Sequence, residues 1–291
     1  MEVVLAQLAN GIAIGSIYSL LVTGFNLMFL VGGVCHFAYP HLVVLSMYIC
    51  WLVLRATGGN VFLSVAATIG AGTGLSLATE PLFRPLTKRR ASLGTFFVSL
   101  GIAIIFTDIM CRVIHRGVPI SFPTTLTGIE AIAKIGLTAI SRGQLFTIIG
   151  SIVAVVGLLY LLYRTKLGRS FRAMAQSPFA ARLLGIPITR MSIYSYAIAG
   201  LLAGISAVFL IMTLGGATGA LGGILAIKVF AVSLFAGMGN LKGGLICGLI
   251  LGLVESLAVG FLPGHLTNAI AFGMILVVVI WKPEGLFGLR A

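Results

Sequence analysis

Apolar residues run through this chain in long, nearly unbroken stretches, separated by short clusters of glycine, proline and basic residues. A membrane-crossing helix needs roughly 20 mostly apolar residues, because each rises about 1.5 Å through about 30 Å of hydrocarbon. A spanning barrel would instead show segments of about ten residues alternating apolar and polar, whereas Leu145 to Leu162 is nearly continuous apolar sequence. Reading apolar runs against punctuation predicts spans near 11–30, 41–54, 61–79, 91–111, 143–163, 191–213, 223–237, 244–262 and 267–281. The second and seventh are short for a full crossing. Both follow Gly-rich breaks, Val31-Gly32-Gly33-Val34 and Gly215-Gly216-Ala217-Thr218-Gly219, so broken or partial helices are expected there. The predicted fold is an all-α integral membrane protein, a polytopic helical bundle of about 8–10 spans, forming a single transmembrane domain over residues 1–291.

Composition agrees with this pattern. Hydrophobic residues make up 59% of the chain and charged residues only 9%, against about 25% charged in soluble domains. The 38 glycines are about twice the usual share of about 7%, and many lie inside the apolar runs. Lipid gives helices no hydrophobic reason to associate, so small residues that let backbones approach are the expected glue. Gly200 and Gly204, and Gly244, Gly248 and Gly252, have the four-residue spacing this requires. The chain starts Met1-Glu2 with no basic residue before the first apolar run, so a cleaved signal peptide is not expected. Cys35, Cys50, Cys111 and Cys247 form no Cys-x-x-Cys pair, which predicts neither a disulfide framework nor a metal site.

Charge sets the expected orientation, since cytoplasmic loops carry excess Lys and Arg. Residues 80–90 hold Arg84, Lys88, Arg89 and Arg90, and residues 164–190 hold Arg164, Lys166, Arg169, Arg172, Arg182 and Arg190. Placing both loops inside puts the N-terminus outside, the C-terminus inside and the segment from Arg112 to Arg142 outside. In that segment Thr127-Gly128-Ile129-Glu130 resembles a capping box, while its glycine and β-branched residues also suit a hairpin. The +13 net charge is thus a topology signal, and nucleic acid is not an expected partner.

The sharpest local signal is in the basic loop at 168–186. Ser177 offers an N-cap hydroxyl, Pro178 fits the first helical position, and Gly185 followed by Pro187 marks a helix end. The enclosed helix, Pro178 to Leu184, is about two turns and cannot span anything. Phe179 and Leu183 share one face beside Arg182. Two readings are open on these residues alone: a patch for another protein's groove, or a helix lying on the membrane surface.

Ionisable residues inside the spans are few. Asp108 and Glu255 are the acids and Lys228 the cation in the predicted runs; Lys228 and Glu255 form a candidate intramembrane charge pair with either a structural or a pathway role. His36, Tyr39, Pro40 and His41 lie in the break between the first two spans, where irregular backbone requires a protein or water-filled surround, and are candidate pathway residues. Packing or metal binding by the two histidines are the alternatives, and no third metal ligand is evident. The sequence contains no Gly-x-x-x-x-Gly-Lys-Ser/Thr, Gly-x-Ser-x-Gly or His-Glu-x-x-His pattern, so neither ATP hydrolysis nor hydrolase chemistry is expected on this chain.

The run Gln176-Ser177-Pro178-Phe179-Ala180-Ala181-Arg182-Leu183-Leu184-Gly185-Ile186 resembles the Glu-Ala-Ala-x-x-x-Gly loop of permease subunits in ATP-binding-cassette importers, specifically the branched-chain amino acid family. Asn10-Gly11 with Gly15-Ser16-Ile17-Tyr18-Ser19-Leu20, Gly237-Met238-Gly239-Asn240 with Gly243-Gly244 and Gly248, and Lys282-Pro283-Glu284-Gly285-Leu286-Phe287-Gly288 agree with that family. Two departures stand out: Phe179 replaces the usual glutamate, and His36-Phe37-Ala38-Tyr39-Pro40-His41 replaces Asn-Phe-Ala-His-Gly-Glu. The resemblance implies a permease for small amino acids or related carboxylates or amides, in a bacterial cytoplasmic (inner) membrane. It implies as partners a sister or identical permease subunit, two cytoplasmic ATPases that bind the ATP and magnesium, and an extracytoplasmic solute-binding protein. It gives Ser177, Pro178, Phe179, Ala180, Ala181, Arg182, Leu183 and Gly185 the role of coupling to the ATPase. No cofactor is expected on this chain, and an ion-coupled secondary transporter is the alternative.

Overall fold

The structure is a computed structural model that describes residues 2–88, 92–114, 118–128, 131–135 and 138–261, with Gly273, Ile280, Lys282 and 285–287 beyond them. The described elements are α1 (Glu2–Gly32), α2 (Tyr39–Ala56), α3 (Val61–Lys88) and α4 (Ser92–Asp108), the last running into a π-helical turn (Ile109–Ile114). A strand β1 (Ile120–Ser121), a single turn α5 (Thr124–Thr127) and strands β2 (Ala131–Ile135) and β3 (Thr138–Ser141) follow. Then come α6 (Arg142–Arg164), α7 (Lys166–Gln176), α8 (Pro178–Leu183), α9 (Ile188–Leu214), β4 (Gly216–Ala217), α10 (Leu221–Ala236) and α11 (Leu241–Phe261). Seven described helices are long and apolar enough to cross a membrane, and α10 is a shorter apolar helix. The protein is a polytopic membrane protein of the all-α class; the ninth predicted span, 267–281, lies outside the described residues except for Gly273 and Ile280.

α1 is the axis of the bundle, with 83% of its apolar window buried, whereas only 22% of the corresponding windows in α3 and α6 is buried. Close approach is what the glycines provide. A Cβ on Gly15 would lie 2.9 Å from the carbonyl oxygen of Leu249, and one on Gly248 2.6 Å from the Ser19 backbone nitrogen, so α1 and α11 cross backbone to backbone. α3 and α9 do the same through Gly72, Gly200 and Gly204. Several hydroxyls inside the spans bond back to their own helices: Ser46 donates to the Leu42 carbonyl at 2.9 Å and Thr68 to the Ser64 carbonyl at 2.7 Å. This satisfies polar groups that lipid could not.

Two sequence expectations need correction. Residues 80–88 are not a loop: α3 continues through Pro81 and Pro85 to Lys88, which brings Glu80 inside the bundle at 2% exposure. No helix starts at Thr127. Instead α5 ends there on a left-handed Gly128, and β2 and β3 form the hairpin that was the other reading. The capping box lies farther on, where the Ser141 side chain and Gln144 cap each other's backbone N–H groups at the start of α6.

The connections sort into two ends. β1 pairs with β4 through Ile120 with Ala217 and Ser121 with Gly216, and Gln144 at the start of α6 donates to Asn10 near the start of α1 at 3.4 Å. That end therefore gathers the beginning of α1, the 118–128 segment and the turn after α9. At the other end Leu286 N–H bonds to the Phe235 carbonyl and Asn240 Nδ2 to that of Phe287, beside α7 and α8.

Candidate functional site

α8 protrudes from the second end. Ser177 accepts from Ala180 N–H at 3.2 Å, Pro178 occupies the first turn, and Gly185 takes φ +77°, a conformation in which a Cβ is strained. Its inward residue, Ala181, is 1% exposed and sits in a cluster with Phe171 and Met174 of α7 and Met191 of α9. The same cluster contains Leu20 and Leu27 of α1, Leu158 and Leu162 of α6, Leu202 of α9 and Leu241 of α11. Its outward residues are large and apolar: Phe179, Leu183 and Leu184 are 70%, 74% and 78% exposed. Arg182 and Ala180 are also exposed, and a surface cavity of about 550 Å³ lined by Arg182, Ile186, Pro187, Ile188 and Thr189 adjoins them. Ala181 thus ties α8 to four spans through one close-packed cluster.

Sequence reading missed α7. Leu167, Phe171 and Met174 follow helical spacing, and Phe171 and Met174 are buried, but its many basic residues read as loop. Thr165 caps it by accepting from Gly168 N–H at 3.3 Å, and the Arg172 guanidinium donates to the Leu162 carbonyl at the end of α6. α7 is the platform on which α8 rests.

At mid-bundle, Lys228 of α10 forms an ion pair with Glu255 of α11. Tyr18 of α1 completes it, donating to Glu255 Oε2 at 2.9 Å and lying 3.3 Å from Lys228 Nζ. Both charged side chains are largely enclosed, 6% and 13% exposed, so three helices share one neutral network. Glu80, overlooked in the sequence because two prolines follow it, is paired with Arg84 at 2.5 Å. Asp108 is instead half exposed and pairs with Arg112 at 2.7 Å.

The break between α1 and α2 is enclosed by this chain. His36 is 1% exposed and Tyr39 fully buried, and His41 is 9% exposed. His36 Nε2 lies 3.0 Å from Thr79 Oγ1, a hydroxyl that is also 2.7 Å from the Ser76 carbonyl. Its ring packs against Phe83 and Tyr196, with centroids 4.7 and 5.9 Å apart. Tyr39 donates to the Ala199 carbonyl at 3.0 Å, and Pro40 sits in the first turn of α2. The His41 ring is pressed by Gly222 at the start of α10. The Nδ1 atoms of both histidines, and the Tyr196 hydroxyl, are buried with no well-formed hydrogen bond among the described residues. α10 therefore begins well inside the bundle, and the backbone from β4 to Gly222 descends beside α2 to reach it. Among the described residues no group of three or more His, Cys, Asp or Glu could hold a metal.

Known proteins share this chain's layout over almost its full length. The permease protein BraD of a high-affinity branched-chain amino acid transport system in Pseudomonas aeruginosa is 25% identical, the match covering 98% of this chain and 95% of BraD. A probable branched-chain amino acid transport permease, LivH of Methanocaldococcus jannaschii, is 25% identical over 94% of this chain and 87% of its own. Among solved structures, PsaBC from Streptococcus pneumoniae in complex with Fab superposes with a TM-score of 0.52 at 12% identity, covering 94% of this chain and 91% of that one, which shows a common fold. A family model described as branched-chain amino acid transport system / permease component matches residues 7–279. Since that match takes in the axis helix, the α7–α8 platform and the mid-bundle network alike, the chain belongs to the branched-chain amino acid transport permease family.

Proposed function

We propose that this chain is the membrane-spanning subunit of an ATP-driven importer for branched-chain or related small amino acids, or for similar small carboxylates or amides. The observation that carries the reading is α8: a capped, stiffly ended helix that anchors Ala181 in a cluster shared by four spans and turns Phe179 and Leu183 outward. Such a helix is suited to a groove in a cytoplasmic ATPase subunit, where nucleotide-driven motion would be passed to the spans. Magnesium and ATP belong on those ATPases. A second permease, identical or sister, and an extracytoplasmic solute-binding protein complete the assembly. The α7–α8 end faces the cytoplasm in this reading, supported by the excess of Arg and Lys there, with the N-terminus outside, the C-terminus inside and the bacterial inner membrane as the setting.

Cargo would be selected by the external protein and held only weakly by the permease, because tight binding would oppose release. The buried Nδ1 atoms of His36 and His41, which make no well-formed hydrogen bond among the described residues, support a transient contact for a polar solute group in the α1–α2 break. The test is uptake into proteoliposomes containing the purified assembly. ATP inside the ATPase-accessible compartment should drive uptake of leucine-like solutes without an ion gradient. Uptake driven by a proton or sodium gradient, with no copurifying ATPase, would identify an ion-coupled secondary carrier instead.

A further inference from the structure

We propose that the junction of α6, α7 and α11 binds the headgroup of an anionic phospholipid, with one acyl chain lying along α6. The structure places two cations on one aromatic ring. Lys242 Nζ is 4.9 Å, and the Arg172 guanidinium carbon 5.2 Å, from the ring centre of Tyr163. Each is attracted by the ring quadrupole, and among the described residues neither forms an ion pair with a carboxylate. The sequence has no Asp or Glu from Ala131 to Val254, and the nearest beyond it, Glu255, is taken by Lys228. Arg164, Lys166 and Arg169 are exposed in the same stretch and deepen the positive field.

Tyr163 stands one residue from the end of an apolar span, the level at which amphipathic rings meet lipid headgroups. Running from it along one face of α6, at steps of three and four residues, are Tyr160, Val156 and Val153, which are 66%, 58% and 65% exposed. An apolar stripe that leads into a pair of cations with no ion-pair partner among the described residues has the shape and charge pattern of a single anionic lipid. A free phosphate would use the cations and leave the stripe bare. The site is independent of which solute the protein carries.

The experiment is native mass spectrometry of the intact assembly, released from detergent after titration with phosphatidylglycerol or phosphatidylethanolamine. Wild type should retain phosphatidylglycerol in preference to the zwitterionic lipid. Lys242→Gln should weaken that binding about five-fold, the share of one cation near an anionic headgroup, and Tyr163→Leu should weaken it as well. Because Arg172 also holds the end of α6, the two exposed residues Lys242 and Tyr163 are the decisive variants. Equal retention of phosphatidylglycerol by wild type and both variants would overturn the proposal, as would equal retention of the two lipids. Displacement of the lipid by millimolar inorganic phosphate would assign the cations to a free anion and overturn it. So would loss of a copurifying subunit from Lys242→Gln with lipid binding unchanged, which would make the cluster a protein contact.

Discussion

Removing one member of the Lys228–Glu255 pair should destabilise the protein far more than removing both. Lys228 is buried, and its ammonium has as neighbours only Glu255 and the Tyr18 hydroxyl, 3.3 Å away, among the contacts described. Glu255→Leu would leave that charge facing one neutral hydroxyl and a π-face whose centre is 5.7 Å distant. Breaking a buried pair from one side costs about 3–5 kcal/mol, whereas replacing both charges with apolar groups of similar volume is often neutral or stabilising. At about 2–4 °C per kcal/mol for a chain of this size, each single variant, Glu255→Leu or Lys228→Met, should lose about 6–20 °C. The double variant should return close to wild type. The assay is gel filtration of detergent-solubilised, fluorescently tagged protein after stepwise heating, which reads the monodisperse fraction surviving each temperature. Single variants within about 2 °C of wild type, or a double variant as labile as the singles, would refute the reasoning. Transport by the stable double variant then separates roles: uptake at the wild-type level makes the pair structural, and lost uptake assigns it to the pathway.

Phe179→Asp and Gly185→Val should each lower ATP-driven uptake at least about ten-fold, because one buries a carboxylate in an apolar contact and the other strains a left-handed residue. Membrane levels of both proteins should stay normal, since Phe179 and Gly185 are exposed; unimpaired uptake by either would remove α8 from energy coupling. Single cysteines at Arg182 and Thr218, in a background lacking the four native cysteines, should be respectively shielded from and open to an impermeant thiol reagent in intact cells. The reverse pattern would invert the orientation. His36→Ala and His41→Ala should change the rate or range of cargo uptake per assembled complex, with affinity of the soluble binding protein unchanged. Loss that simply follows poor assembly would leave these rings as packing residues.

What the sequence made legible was whatever is written locally. Span lengths follow from apolar runs, and the ends of α8 follow from Ser177, Pro178 and Gly185, because a cap and a left-handed turn are each set by one or two residues. Lys228 and Glu255 stood out as a pair because charges inside the apolar runs are so rare. Their third member did not: Tyr18 looks like any aromatic in an apolar run, and only the crossing of α1 with α11 brings it within 2.9 Å of Glu255. Glu80 was hidden because prolines and basic residues normally end a helix, whereas here tertiary packing carries α3 past two of them. α7 was hidden by its charge, although its apolar residues repeat at helical spacing. Both misses have one cause: a helix lying at the edge of the bundle has a pattern set by its neighbours more than by a run of apolar residues.

The burial of α1 by α11 has a consequence for how the protein is made. Tyr18 finds its partner 237 residues later in the chain, and Gln7 meets Ser256 after 249. At a synthesis rate of about 5–20 residues per second, that interval is roughly 12–50 s. Throughout it α1 resides in the bilayer with its glycine face open and with Asn26 lacking Ser233 and the Asn240 carbonyl, its eventual partners. The helix that ends as the most protected element begins as the most exposed one. The yield of this permease is accordingly decided while the ribosome is still translating, by whatever cellular machinery shelters an unpaired early helix until its late partner arrives.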